Sequence, residues 1–460
     1  MSETQDLMSV NLTLATNWTA PSLSLLNFTS QDCDEATAWA GASSEAFVTD
    51  WNKMSEIPLG LSVPYLRALL PNYWAPATET DLTLWYMQLV HNETFRNASN
   101  GYNFAMAYLL SYPMTDACGS MICLKLGWEG DPDVSGEGMI VSYYFAAGLS
   151  TIYFAVLIWS IVGRFGHVLL DHPKVERTVS CFKESINTFL DASLIFSVAM
   201  LGAAVVRFAT IRTDPNEDHS AYATLGSVAM SSFSVLPAVI LQTVTDGQRT
   251  HVLRQILWFA VIVMTVGLDI MYRKTYKDPS DIDPDDLRGQ YPPSQIAWLN
   301  LCENEELRDR LRMAVTGTHA LLAINTLWWV YYLLVTVLPL EVHTKMGETR
   351  IGTFFAHCRR WLRALDGIAC MAMMWLLLSL FERYRHYVQL LAGRSDQDTE
   401  WTFGQVLALA TWAPVLVEFW SILLYGPEKG LSRKLSSNYE VVAVTTSDGQ
   451  EKGTPRDDRG

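Results

Sequence analysis

The chain has 460 residues, of which 50% are hydrophobic and only 18% charged, with 16 Trp, 19 Tyr and 18 Phe. Soluble domains carry about 25% charged residues, so this composition argues against a water-soluble fold and for a multi-span helical membrane protein rich in interfacial aromatics. The net charge of −15 excludes a nucleic-acid partner, which needs clustered Lys and Arg; sixteen acids against four bases (Lys53, Arg67, Arg96, Lys125) fall within residues 1–138.

Residues 1–138 read as an extracellular or lumenal ectodomain. The chain opens without a basic n-region or an apolar h-region, so no secretory signal is expected there. Five N-x-S/T sequons, at Asn11, Asn17, Asn27, Asn92 and Asn97, all precede the first long apolar run and none follows it. That asymmetry predicts a glycosylated region on the non-cytosolic side. Residues 1–30 read as a flexible arm. Apolar patches at Tyr65–Leu70, Leu82–Leu89 and Asn103–Met114 are too short to span and predict a small, mostly helical head. Cys33, Cys118 and Cys123 lie here, in a compartment that permits disulfides. The short separation of Cys118 and Cys123 favours that pair, which would leave Cys33 odd, free or intermolecular. No His stands at ligand spacing, so no metal is expected.

Residues 139–426 form the predicted membrane domain. Met139–Gly163 carries no charge, and an apolar helix of about 20 residues spans a bilayer core. Six further apolar runs follow at about 187–210, 221–243, 256–272, 314–338, 364–381 and 401–425. The first, third and fifth loops are basic and the others richer in acid. Positive residues concentrate in cytosolic loops, so the expected fold is an all-α, seven-helix transmembrane bundle with the N-terminus outside and the C-terminus in the cytosol. The acidic run Asp281–Asp286 lacks the Gly and terminal Glu of a calcium loop and reads as solvated. Residues 427–460 are polar and Ser/Thr-rich, which predicts a disordered cytosolic tail.

Ionisable or amide side chains inside spans are costly and are functional candidates by default. The candidates are Asp191, Arg207, Asp366, Gln405 and Glu418, and Arg254 and Asp269 bracket the short fourth run. Counting about 1.5 Å per residue puts Asp191, Asp366 and Glu418 in one layer near the cytosolic end, with Arg254, Arg359, Arg360 and Arg363 able to approach it from the loops, and Arg207 near the outer end. Two readings stand side by side: a binding or ion-coupled site, or interhelical pairs that fix packing, the simpler of the two. Pro237 and Pro414 predict kinks in the third and seventh helices. No local catalytic motif appears, and no cofactor is expected: His319 is the single histidine in the spans, and the seventh helix has no Lys for a retinal Schiff base. Three roles remain open: a surface sensor, a transporter of a small apolar metabolite, or a membrane enzyme acting on a lipidic or polyketide intermediate. The expected partners are the lipid bilayer and a small apolar molecule.

The segment from Cys118 and Cys123 through Gly127–Met139, together with Phe189–Ala209 and Phe403–Phe419, resembles a family of uncharacterised polytopic membrane proteins of filamentous fungi. Some members are encoded beside secondary-metabolite genes, including those for elsinochrome-type perylenequinone pigments. The likeness covers roughly residues 118–426. It carries over to Cys118, Cys123, Pro132, Asp133, Gly136, Gly138, Asp191, Arg207, Gln405, Trp412, Pro414 and Glu418. Here Asp131 stands where the family usually has Asn, and Glu137 takes an apolar position. The resemblance implies a cysteine-bearing head before several spans and a setting in secondary metabolism, with no agreed reaction.

Overall fold

The structure is a computed structural model that describes residues 17–28, 33–49, 57–91, 104–111, 118–126, 131–163, 173–213, 221–245, 252–275, 302–337, 350–392, 398 and 400–426. Asn11, Asn92, Asn97, the acidic run 281–286 and the tail 427–460 lie outside the described residues. Within them the chain is helical, with no strand.

Five short helices build the head: α1 (Cys33–Thr49), α2 (Leu59–Leu69), α3 (Glu79–His91), α4 (Phe104–Ser111) and α5 (Gly119–Leu126). They enclose a core of their own around Trp39, Tyr65, Leu66, Trp85, Tyr86 and Leu109. Trp39 stacks on Tyr65 at 4.6 Å, and the Tyr65 hydroxyl donates to the Leu109 carbonyl at 2.7 Å. Tyrosine suits this place because its ring is apolar while its hydroxyl still finds a partner. The expected flexible arm is docked over residues 17–28. Ala20, Leu23 and Leu26 are buried, and Trp18 and Trp74 cross-link the segment by donating to Ala75 O and Thr19 O.

The bundle begins at a tight turn, α6 (Pro132–Ser135), and continues through α7 (Glu137–Gly163), α8 (Pro173–Thr213), α9 (Ala221–Val244), α10 (Val252–Thr275), α11 (Glu305–Val337), α12 (Arg350–Ala392), α13 (Phe403–Ala410) and α14 (Ala413–Tyr425). Among the described residues six segments are long and apolar enough to cross a membrane: Pro132–Trp159, Arg177–Ile211, Tyr222–Val244, Val252–Lys274, Trp361–Leu391 and Phe403–Tyr425. They match six of the seven expected spans. The remaining one, 314–338, lies in α11, whose described stretch is interrupted by Thr316, Thr318, His319, Asn325 and Thr326.

Helix α9 is the axis of the bundle. From Tyr222 to Leu241 every residue is buried, because α7, α8, α10, α11 and α12 pack around it. Its small residues, Ala223, Gly226, Ser227, Ala229, Ser231 and Ser234, let neighbouring backbones approach. Helix α10 is the opposite case. Ile256, Phe259, Val263, Val266 and Ile270 form an exposed apolar stripe, the surface a bilayer would cover. Pro237 lies inside α9 without ending it. Proline weakens hydrogen bonding in the preceding turn, and Ser197 of α8 donates to the Ser234 carbonyl there at 2.7 Å. Before Pro414, where a kink is expected, the helix lapses into a turn at Thr411–Trp412 that divides α13 from α14 within one apolar stretch.

Cysteine pairing corrects the expectation. Cys33 bonds to Cys118, and Cys123 bonds to Cys302, which stands just before α11. Cys118 and Cys123 are five residues apart across the start of α5. Five helical positions separate two side chains by about 7.5 Å along the axis and by more than a third of a turn, so they cannot reach each other.

Candidate functional site

The polar residues gather in four places, and each has a local cause. The first is the turn at the head end of α7. Asp131 caps α6 by accepting from the Asp133 amide at 3.3 Å and pairs with Arg207 of α8, which also donates to Ser227 of α9 at 2.8 Å. Gln405 fills the turn from α13: its amide oxygen accepts from Gly138 N at 3.0 Å, and its Nε2 donates to the Pro132 and Glu400 carbonyls at 2.7 and 2.9 Å. A Cβ at Gly136 or Gly138 would overlap that side chain, which explains both glycines. Ser135 donates to the fully buried Asp398 at 2.7 Å, and Arg385 of α12 donates to the Ser135 carbonyl at 2.5 Å.

The second place adjoins the Cys123–Cys302 bridge. Glu303 and Arg308, both buried, pair at 2.5 Å; Tyr384 donates to Glu303 at 2.7 Å and Tyr387 to the Cys302 carbonyl at 3.0 Å. Burial raises the Glu303 carboxyl above the ordinary glutamate range, and the Arg308 charge and the Tyr384 bond pull it partly back. The disulfide thus ties the head to the start of α11, and the two tyrosines tie that start to α12.

The third place is the end of the bundle away from the head. The three carboxylates expected in one layer join three different helix pairs. Asp191 of α8 takes Arg254 of α10 at 2.8 Å, with Asn187 adding a bond at 3.3 Å. Glu418 of α14 accepts from Thr188 of α8. Asp366 of α12 accepts from Asn325 of α11 at 3.2 Å. Arg254 reaches Asp191 as expected. Each pair ties two helices together, the arrangement that favours the packing role for Asp191, Arg207, Asp366, Gln405 and Glu418.

The fourth place was not foreseen. Ser232 of α9 lies 2.9 Å from Nε2 of His319 on α11, and the Nδ1 of the same ring lies 2.8 Å from Asp269 on α10. Arg273, one turn beyond, holds the other oxygen of Asp269 at 2.9 Å. The sequence offered a partial signal, a lone histidine among apolar helices, but no spacing links three residues on three helices.

The head also carries a shallow cleft of about 380 Å³ lined by Glu35, Val63, Pro64, Arg67, Ala68 and Glu79. Of the expected glycosylation sites, Asn17 is exposed and Asn27 half-buried. No protein-family model, curated protein or solved structure matches the chain.

Proposed function

We propose that the chain is a seven-helix membrane protein, N-terminus outside and C-terminus cytosolic, that senses or moves a small apolar metabolite. It belongs, on this reading, with the fungal proteins encoded beside secondary-metabolite genes. The chief support is the Cys123–Cys302 bridge, which joins the head to the segment between α10 and α11. A lasting disulfide requires both partners on the oxidising side of the membrane, in line with the sequons and the loop charges. The packing of α11 against α9 and α12 supports its membership of the bundle as the seventh span. A head braced by a disulfide at the start of α11 and by packing on α12 is built to pass a change in the head into the helices, which is what a sensor requires.

The test is a deletion strain with apolar metabolites measured inside cells and in the medium. Retention inside the cells supports transport, and reduced synthesis that supplied product does not restore supports sensing. Unchanged amounts in both places overturn the proposal. A second reading, a membrane enzyme acting on a lipidic or polyketide intermediate, is favoured by one observation, the hydrogen-bonded chain through His319.

A further inference from the structure

Among the buried polar groups, Ser232, His319 and Asp269 are arranged differently from the rest. Elsewhere in the spans a carboxylate meets a cation, an amide or a hydroxyl across two helices. Here a hydroxyl, an imidazole and a carboxylate stand in series, at 2.9 and 2.8 Å, on α9, α11 and α10. The order of atoms matters. Asp269 faces Nδ1, so Nδ1 carries the ring proton and Nε2 is left as an acceptor facing the Ser232 hydroxyl. That is the relation in which an imidazole withdraws a serine proton while a carboxylate orients the ring, a constellation recognised by geometry and not by chain order. Arg273 engages the second oxygen of Asp269 and leaves the first to the imidazole.

The neighbouring serines give an internal contrast. Ser227, Ser231 and Ser234 each donate to a carbonyl of their own helix, the usual behaviour of a helical serine. Ser232 instead directs its hydroxyl to the imidazole. One turn before Asp269, Thr265 carries a buried hydroxyl without a hydrogen-bond partner, a donor available to a carbonyl oxygen. The surroundings point to the substrate. α10 leans on α8, α11 leans on α12, and the two meet chiefly through side chains, Asp269 to His319 and Gln255 to Trp329. The seam between them is flanked by exposed Val266, Ile270 and Leu327.

We propose that Ser232 and His319, oriented by Asp269, form an acyl-transfer centre that takes apolar carboxylic esters entering from the bilayer between α10 and α11. Ser232 is fully covered, so the ester enters where the seam parts. The Ser232 oxygen bonds to the ester carbonyl carbon, and its proton passes to Nε2 of His319. The bond to the leaving alkoxide breaks, and the alkoxide takes that proton and departs as an alcohol. Water or a second alcohol then attacks the acyl-serine, gives its proton to Nε2, and releases an acid or a new ester as the proton returns to Ser232. This goes beyond the sensing or transport role, and its test is independent of it.

The full chain in detergent, with its melting temperature recorded, is treated with a fluorophosphonate bearing a long alkyl chain, and labelled peptides are identified by mass spectrometry. The expected result is one modified serine, Ser232. Ser232→Ala abolishes the label, while Ser231→Ala labels like the parent. His319→Gln slows labelling by at least about 100-fold. Asp269→Asn slows it as well, and Asp269→Glu restores part of the rate, which a purely structural role would not produce. Thr265→Val, the same size without the hydroxyl, slows it too. A folded parent that takes no label at saturating probe overturns the proposal and leaves the three groups as interhelical packing. Labelling that persists in Ser232→Ala overturns it equally. A preference for a short, charged probe over the long alkyl one overturns entry from the bilayer.

Discussion

Gly136 and Gly138 are small because the Gln405 amide occupies the place where their side chains would stand. Gly136→Ala therefore forces an overlap with no flexible way out and is expected to destabilise the protein by about 1–3 kcal/mol, read as a lower melting temperature in detergent. Asp191→Asn removes the charged partner of Arg254, which is only 5% exposed. Asp191 itself is half exposed, so the expected cost is about 1.5–3 kcal/mol, the worth of a charged hydrogen bond, and not more. The double variant Asp191→Asn/Arg254→Met is expected to lose less than the single one, because the buried cation is gone. Glu303 makes a prediction about pH. Burial raises its folded-state carboxyl above the unfolded value, so the ionised form is the costly one in the fold. Its contribution to stability is complete below the ordinary value, about 4.3, and is lost as pH rises through its raised value. Glu303→Gln stays neutral, so its melting temperature relative to the parent should climb over that window; a constant difference would show that Glu303 is not the titrating group.

Among the helices, burial follows neighbours and not hydropathy alone. α9 and α10 are both apolar and of equal length, 24 residues, yet one is buried from Tyr222 to Leu241 and the other shows a broad exposed stripe. The difference lies in small residues: α9 spaces Ala, Gly and Ser along its length, whereas α10 carries bulky side chains that suit contact with lipid. The break between α13 and α14 is satisfied locally. Trp412 is buried at the turn and its indole donates to Ser142 of α7 at 2.9 Å. Trp412→Phe keeps most of the ring packing against Phe189 and Phe196 but loses that bond. The expected loss is about 0.6–1 kcal/mol, the range for hydrogen bonds between membrane helices, again measured by melting in detergent.

The head and the bundle have separate cores and are joined by Cys123–Cys302 and the packing of α5 on α12. The two bridges differ in purpose. Cys33–Cys118 closes a span of 85 residues within the head, and Cys123–Cys302 closes one of 179 residues between head and bundle. Chain-entropy reasoning assigns each about 4–5 kcal/mol. The paired variant Cys33→Ser/Cys118→Ser is expected to make the head sensitive to protease while the helices keep their melting behaviour. Cys123→Ser/Cys302→Ser should leave the head folded and loosen its attachment to α11 and α12. Limited proteolysis with helix content followed in parallel distinguishes the two, and identical effects would show that the bridges form one unit.

Long uncharged runs disclosed the helices and the solvent they suit, because side-chain transfer into hydrocarbon adds up over about 20 residues while a helix satisfies its own backbone. Acid in the first 138 residues and the bracketing of runs by Arg and Lys marked where that composition changes. The partners of Asp191, Arg207, Asp366, Gln405 and Glu418 were beyond the same signal, since each lies on another helix and helix order does not dictate which faces meet. Cysteine connectivity was beyond it too: proximity in the chain favoured Cys118 with Cys123, and the rigid turn of α5 forbids it. The series Ser232–His319–Asp269 depends on three helices packed to within hydrogen-bond distance at one level, a property of the assembled bundle that no segment of the chain contains alone.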